Sequence, residues 1–225
     1  MAAGIGVNNT KVSENAMVIA GRTYSILDVW NGQDPYAGIR KFIESDREAL
    51  RNVLKNEASY TQKKKEKASE GKKECLCYMY SDYYFDFEPD NVIVAVDDGV
   101  PCGFIVGSLD TELFVQKMNE IYVPKIMKIS KVWGIFHKIC VAVNKKEDLK
   151  GGVAFHINID HTHQGKKIGT KLMKAMAENI AEKGKKYLYL VTENKKTVGY
   201  AFYSKLGFKV TKHYIGGSLM MIQEV

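Results

Sequence analysis

Long apolar runs are missing from this chain: among its 225 residues none approaches the roughly 20 that a membrane span needs. The opening Met1-Ala2-Ala3-Gly4-Ile5-Gly6 also lacks a basic segment followed by an apolar core. No export signal is read there, and a cytoplasmic protein without a membrane partner is expected. Cysteine is sparse. Cys75, Cys77, Cys102 and Cys140 form no Cys-x-x-Cys pair and have no His/Cys partner pair at zinc spacing. A disulfide scaffold and a metal site are therefore not expected, and reduced buried thiols remain. Two common nucleotide loops are absent as well. No Gly-x-Gly-x-x-Gly occurs, and Gly165 is separated from Gly169 by three residues where a P-loop needs four.

What the chain does carry is positive charge, +7 at neutral pH. That balance suits a polyanionic partner, nucleic acid among the candidates. The lysines are dispersed, however, and one solvated tract, Lys63-Lys64-Lys65-Glu66-Lys67, holds several of them. At 45% hydrophobic residues the chain can bury a full core. We read one domain over residues 1–225, with an elaborated N-terminal half and no internal repeat.

The most informative stretch starts at Val153. From Phe155 to Ile159 apolar and polar residues alternate, the period of a strand with one buried face. Beyond Gln164-Gly165-Lys166-Lys167-Ile168-Gly169, the residues Leu172, Met173, Met176, Ile180 and Ala181 recur at helical spacing. A glycine-containing turn thus opens a helix. Its first N–H groups have no partner within the helix and the macrodipole favours negative charge there, so the turn is suited to phosphate.

These residues resemble a family. Gln164-x-x-Lys167-x-Gly169 is similar to the Gln/Arg-x-x-Gly-x-Gly/Ala signature of the GNAT superfamily of acetyltransferases, whose backbone amides hold the pyrophosphate of acetyl-coenzyme A. The fourth place, usually glycine, is Lys167. A left-handed lysine would cost roughly 1–2 kcal/mol, so ordinary helical angles are expected there. Ala201-Phe202-Tyr203-Ser204-Lys205-Leu206-Gly207-Phe208 is close to the family's ending, in which a short helix carries the tyrosine and a glycine closes it. Together the two signatures span residues 153 to 214.

The resemblance implies an α/β fold, a GNAT-like mixed central sheet with helices on both faces. It implies acetyl-coenzyme A as cosubstrate, contacted by Ile157, Ile159, Gln164, Gly165, Lys166, Lys167, Ile168, Gly169, Thr170 and Asn194. A coenzyme with three phosphate groups is sufficient reason for the local positive charge, so nucleic acid is not expected as a partner; a homodimer is left open. The implied reaction is attack of an amine acceptor on the thioester, with a backbone N–H near Ile159 as oxyanion donor and Tyr203 as the acid for the leaving thiolate; the alternatives are transfer to a hydroxyl, a longer acyl donor, or a coenzyme A-binding regulatory module without turnover. The base is less clear, because Val153 and Phe155 hold the strand positions where many members carry glutamate. His156, which can titrate near neutrality, is the candidate, with a water chain or Glu120 as alternatives. His161 and His163 are expected to face solvent.

In chain order, the pattern predicts a strand over Thr23–Val29. A helix follows, from Pro35 through Ile39, Phe42, Ile43, Leu50, Val53 and Leu54. The aromatic run Leu76–Phe87 is read as core, sheet edge or acceptor-site wall. A hairpin turns at Asp97-Asp98-Gly99. Within an insert around 110–150, helix is expected near Leu113–Ile126 and a strand over Lys131–Val143. Strand Lys186–Thr192, a helix containing Tyr203, and a hairpin of Lys209–Tyr214 with Ser218–Ile222 close the chain.

Overall fold

The computed structural model describes residues 17–19, 22–24, 38–61, 69–146, 151–192, 197–214 and 217–225. Strands β1 (Met17–Ile19) and β2 (Arg22–Tyr24) pair antiparallel as a separate ribbon. The main sheet runs β3 (Ile39–Lys41), β4 (Val92–Asp97), β5 (Val100–Ser108), β6 (Gly152–Ile159), β7 (Tyr187–Thr192), β9 (Leu219–Glu224), β8 (Lys209–His213). Every neighbouring pair is antiparallel except β6 with β7.

Period-two alternation in the central strands builds a core on each face. Ile93, Ala95, Ile105, Val153 and Phe155 pack with Leu172, Met173, Met176 and Ile180 of α7 (Ile168–Glu182), and α8 (Val198–Lys205) lies against the same cluster. Their neighbours Val92, Val94, Phe104 and Val106 face the other way. That face is covered by α1 (Arg47–Thr61), α2 (Glu70–Tyr80), α3 (Asp82–Phe87), α4 (Thr111–Lys117), α5 (Val123–Ile129) and α6 (Lys131–Lys146). A π-helical turn, Met118–Tyr122, joins α4 to α5. The chain therefore has the expected mixed sheet between helices.

Two expectations fail. Ile39 lies in an edge strand, because its neighbourhood pairs with β4 and Gly38 accepts the Val96 N–H at 2.6 Å; helix begins only near Arg47. Residues 131–143 are helix, not strand: they lie in a 16-residue helical segment, Lys131–Lys146, longer than most strands. The expected Thr23–Val29 strand is seen only as β2, since 25–29 lie outside the described residues, as do Lys63–Lys67. The aromatic run forms α2 and α3, with Tyr83, Tyr84 and Phe85 buried.

One buried carboxyl locks the layer under these aromatics. Glu88, after α3, accepts from Tyr83 Oη at 2.8 Å, Ser108 Oγ at 2.7 Å, Asn91 Nδ2 at 2.9 Å and the Leu109 N–H at 2.8 Å. Four donors converge on two oxygens. Glu88→Gln would point an NH₂ at donors, so a loss of about 2–3 kcal/mol is expected in urea titration, with coenzyme affinity unchanged in the variant that folds.

Candidate active site

The site begins with a short pairing. Strand β6 has eight residues, yet only Gly152–Ala154 pair with Tyr187–Tyr189 of β7. Beyond Ala154 the strands diverge while β6 stays paired with β5. Asp160 N–H donates to Cys102 O at 2.9 Å on the β5 side. Alternation along the strand then turns the N–H and C=O groups of Ile157 and Ile159 toward the opposite edge, where β7 has left. From that edge Gln164 Nε2 reaches Ile159 O at 3.4 Å.

The loop into α7 closes one end of this wedge. Gly165 has φ 82°, and Lys167, the residue capping α7, has φ 63° and ψ 10°. Lys167 is therefore left-handed, contrary to the sequence expectation. The fold accepts the roughly 1–2 kcal/mol penalty and holds a turn that glycine would adopt freely. The first backbone bond of α7 is Lys171 N–H to Lys167 O at 3.2 Å, which leaves the amides of Ile168, Gly169 and Thr170 for an anion. Gly169 is required by close approach. A Cβ there would meet Phe202 Cζ at 3.0 Å and Ile159 Cδ1 at 3.2 Å.

A cleft of about 630 Å³ runs along this loop, bounded by Ile157, Ile159, Gln164, Gly165, Lys167, Ile168, Gly169 and Thr170. Lys166 is not on its wall. Its ammonium lies 3.3 Å from Asp97, which also takes His163 Nε2 at 3.2 Å. His163 is half-buried and lines the cleft, whereas the sequence placed it in solvent. Asn194 lies outside the described residues. Sequence reading missed the opposite wall, Val198, Gly199, Phe202 and Lys205 of α8. Phe202 and Lys205 sit inside the second signature and were available there.

Continuous with the cleft, and sharing Ile157, Asn158 and Gly199 with it, is a chamber of about 420 Å³ between the splayed strands. Tyr203 and His156 both line it, with Tyr80 and Tyr189. The Tyr203 ring is held by Phe155 at 5.8 Å and Phe208 at 5.5 Å, and burial pushes its hydroxyl up to about 12. The group is a proton donor at neutral pH. His156 meets the Tyr80 ring at 4.8 Å, and burial, then the nearby His137, holds it at about 4. Glu120 is exposed and bonded to Gln116 and Lys117, and it does not line the chamber. Among the described residues no cluster of three His, Cys, Asp or Glu could hold a metal ion.

His137 is 5% exposed, and both its ring nitrogens lack a hydrogen-bond partner. Burial lowers it to about 4. A base whose folded pKa is depressed contributes stability above its unfolded value near 6.5 and loses it as pH falls toward the folded value. Unfolding free energy should therefore drop between pH 6.5 and 4, by up to about 3 kcal/mol from this residue. His156, held at about 4 as well, acts over the same range, so His137→Phe should reduce the slope of that limb without removing it in urea titrations across pH; an unaltered slope would assign the acid loss elsewhere.

Comparison with known proteins follows the same geometry. Residues 56–208 match the acetyltransferase (GNAT) family. Among solved structures, SsHAT aligns with a TM-score of 0.69 over 83% of this chain and 96% of its own, at 19% identity. The PaiA N-acetyltransferase of Thermoplasma acidophilum, solved with coenzyme A, aligns at 0.55 over 83% and 98%, at 19% identity. An agmatine N-acetyltransferase aligns at 0.56 over 83% and 98%, at 16% identity. At these identities the likeness is one of fold. No curated protein matches the chain significantly in sequence.

Proposed function

The chain belongs to the acetyltransferase (GNAT) family, and on that premise we propose that it transfers acetyl from acetyl-coenzyme A to an amine by direct attack on the thioester. One observation carries the reading: the wedge left by the three-residue β6–β7 pairing joins a phosphate-suited helix N-terminus to a chamber lined by Tyr203. The open N–H and C=O groups of Ile157 and Ile159 suit the amides of the pantetheine arm, and the free amides of Ile168, Gly169 and Thr170 suit its pyrophosphate. The new amide bond forms as the carbon–sulfur bond breaks; the nitrogen sheds its extra proton to water, and the thiolate leaves hydrogen-bonded to Tyr203 and takes a proton from solvent. An N–H on the wedge edge near Ile159 faces the developing oxyanion, and the Tyr203 hydroxyl faces the departing sulfur.

His156 enters this scheme in a reduced role. An alkylammonium near pKa 10 is a much weaker acid than an imidazolium at about 4, so full proton removal by His156 is steeply uphill. The neutral ring serves instead to accept a hydrogen bond from an amine that arrives deprotonated. Residues of the 110–150 segment stand behind it through His137 of α6, which agrees with a part for that segment in acceptor choice.

A panel of polyamines, arylamines, aminoglycosides and peptide N-termini, monitored by free-thiol release, tests the reading. Acceptor-dependent thiol release with amide product is expected. Tight coenzyme binding without release for any acceptor would make the chain a coenzyme-binding module.

Lys167 supplies a second test. Lys167→Gly removes a left-handed lysine and should raise stability by about 1 kcal/mol. It also removes an ammonium from the cleft wall, so coenzyme affinity should fall a few-fold at low salt, with the difference shrinking as salt screens it. Tighter binding at every ionic strength would make this lysine a burden with no electrostatic return.

A further inference from the structure

Helix α6 is apolar on two opposite sides, and among the described residues only one is covered. Gly134, His137 and Val141 turn inward and are buried. Half a turn away Val132, Ile135, Phe136 and Ile139 are 75%, 55%, 59% and 59% exposed. A helix that is apolar all round is ordinarily enclosed all round. Here four large apolar side chains of consecutive turns meet solvent on one face.

Along the segment that carries this stripe the charge has one sign. From Ile121 to Lys146 the sequence holds six lysines, at 125, 128, 131, 138, 145 and 146, and no aspartate or glutamate. Lys128, Lys131 and Lys138 are exposed. Trp133 is half-buried on the helix flank, with the Lys72 ammonium 5.2 Å from its ring centroid. On adjoining α2 the Glu70 carboxylate is taken by Lys73 at 2.7 Å.

We propose that the outer face of α6 docks on an anionic lipid bilayer, lying in the plane of the headgroups with Val132, Ile135, Phe136 and Ile139 inserted at the acyl boundary. A helix with an apolar face, lysines beside it and an aromatic at its edge matches that interface. Sixteen residues make it about 24 Å long, enough for the stripe to enter as one unit. Charge selects this occupant over a second copy. Two copies paired across the stripe would press one carboxylate-free, lysine-bearing segment against another, whereas anionic headgroups neutralise those lysines. The sequence expectation of no membrane partner rested on the missing spanning run. It does not bear on a helix that lies on the surface.

The test is co-sedimentation of the full chain with vesicles of phosphatidylcholine alone, and with vesicles in which one third of the lipid is phosphatidylserine. Pelleting with the anionic vesicles only, weakening as salt rises, is expected. Phe136→Glu with Ile139→Glu should abolish it. Lys131→Glu with Lys138→Glu should weaken it by about 30-fold or more, from roughly fivefold for each cation lost and further for each charge reversed. Both pairs are exposed and outside the cleft, so coenzyme titration and melting midpoint serve as controls; if the apolar pair unfolds the chain, the lysine pair decides. No pelleting of the parent chain, or equal pelleting with both vesicles, overturns the proposal. So does a dimer in sedimentation equilibrium that the Glu pair dissociates while vesicles go unbound, which would give this face to a second copy.

Discussion

Tyr203→Phe is expected to lower turnover by about 10²-fold while leaving acetyl-coenzyme A affinity within about twofold. The phenylalanine ring keeps the contacts with Phe155 and Phe208, so packing is retained and only the hydroxyl is lost. General acids are typically worth ~10²–10⁴-fold, and the chamber places this one at the lower end. Burial holds the phenol at about 12, roughly 3–4 units above an ordinary thiol. Complete proton transfer to the sulfur is therefore uphill, and the hydroxyl acts mainly by hydrogen bonding as charge gathers there. Such an interaction is made only in the transition state, so kcat should fall with little change in ground-state binding. Phe202→Leu is the contrasting variant, since it loosens contacts with Gly169 and Tyr203 and should lower the melting midpoint before it alters chemistry. Wild-type turnover by Tyr203→Phe, under conditions where chemistry limits the rate, would assign stabilisation of the departing sulfur to water or another residue.

Gly169→Glu should cost coenzyme affinity about 10²-fold or more in calorimetry, and Gly169→Gln about tenfold. The two variants share one injury. Any Cβ at this position presses on Phe202 at 3.0 Å and Ile159 at 3.2 Å, so α8 must shift outward, and such overpacking typically costs 1–3 kcal/mol. Glutamate adds a negative charge beside amides that suit phosphate, and like charges brought together at a binding surface cost several kcal/mol. The gap between the two variants should narrow with salt while the glutamine loss persists. Unchanged affinity in both would remove the loop from the coenzyme site.

The parts legible in the sequence were those set by neighbours along the chain. Alternation from Phe155 to Ile159, helical spacing after Ile168 and the run Ala201–Phe208 each record a local period, and each element stands where the spacing put it. Lys167 was misjudged because intrinsic cost was taken to decide its backbone, whereas the strand, helix and cleft around it over-determine the turn. Residues 131–143 misled for a different reason. Val132, Ile135 and Ile139 are β-branched residues that argue for strand, and they belong to the face that α6 leaves exposed. Neither the wedge nor the company of His137 with His156 could be read at all. Both depend on pairings between segments far apart in sequence, as does the diversion of Lys166 to Asp97.

The brevity of the β6–β7 pairing makes this sheet an unfinished object. Among the described residues the ladder between its two halves, β3 to β6 and β7 to β8, has three residue pairs, Gly152 to Ala154 against Tyr187 to Tyr189, and the rest of their contact is side-chain packing in the shared core. Sheets resist local opening through ladders, and here the ladder stops half way. The molecule that fills the gap then acts as a missing strand, carrying load between the halves. In deuterium, the amide protons of Ile157 and Ile159 should be lost quickly from the free protein and slowly from the liganded one, while those of β5 are protected throughout. Breathing of the two halves about their three-pair seam would thereby set how fast product leaves.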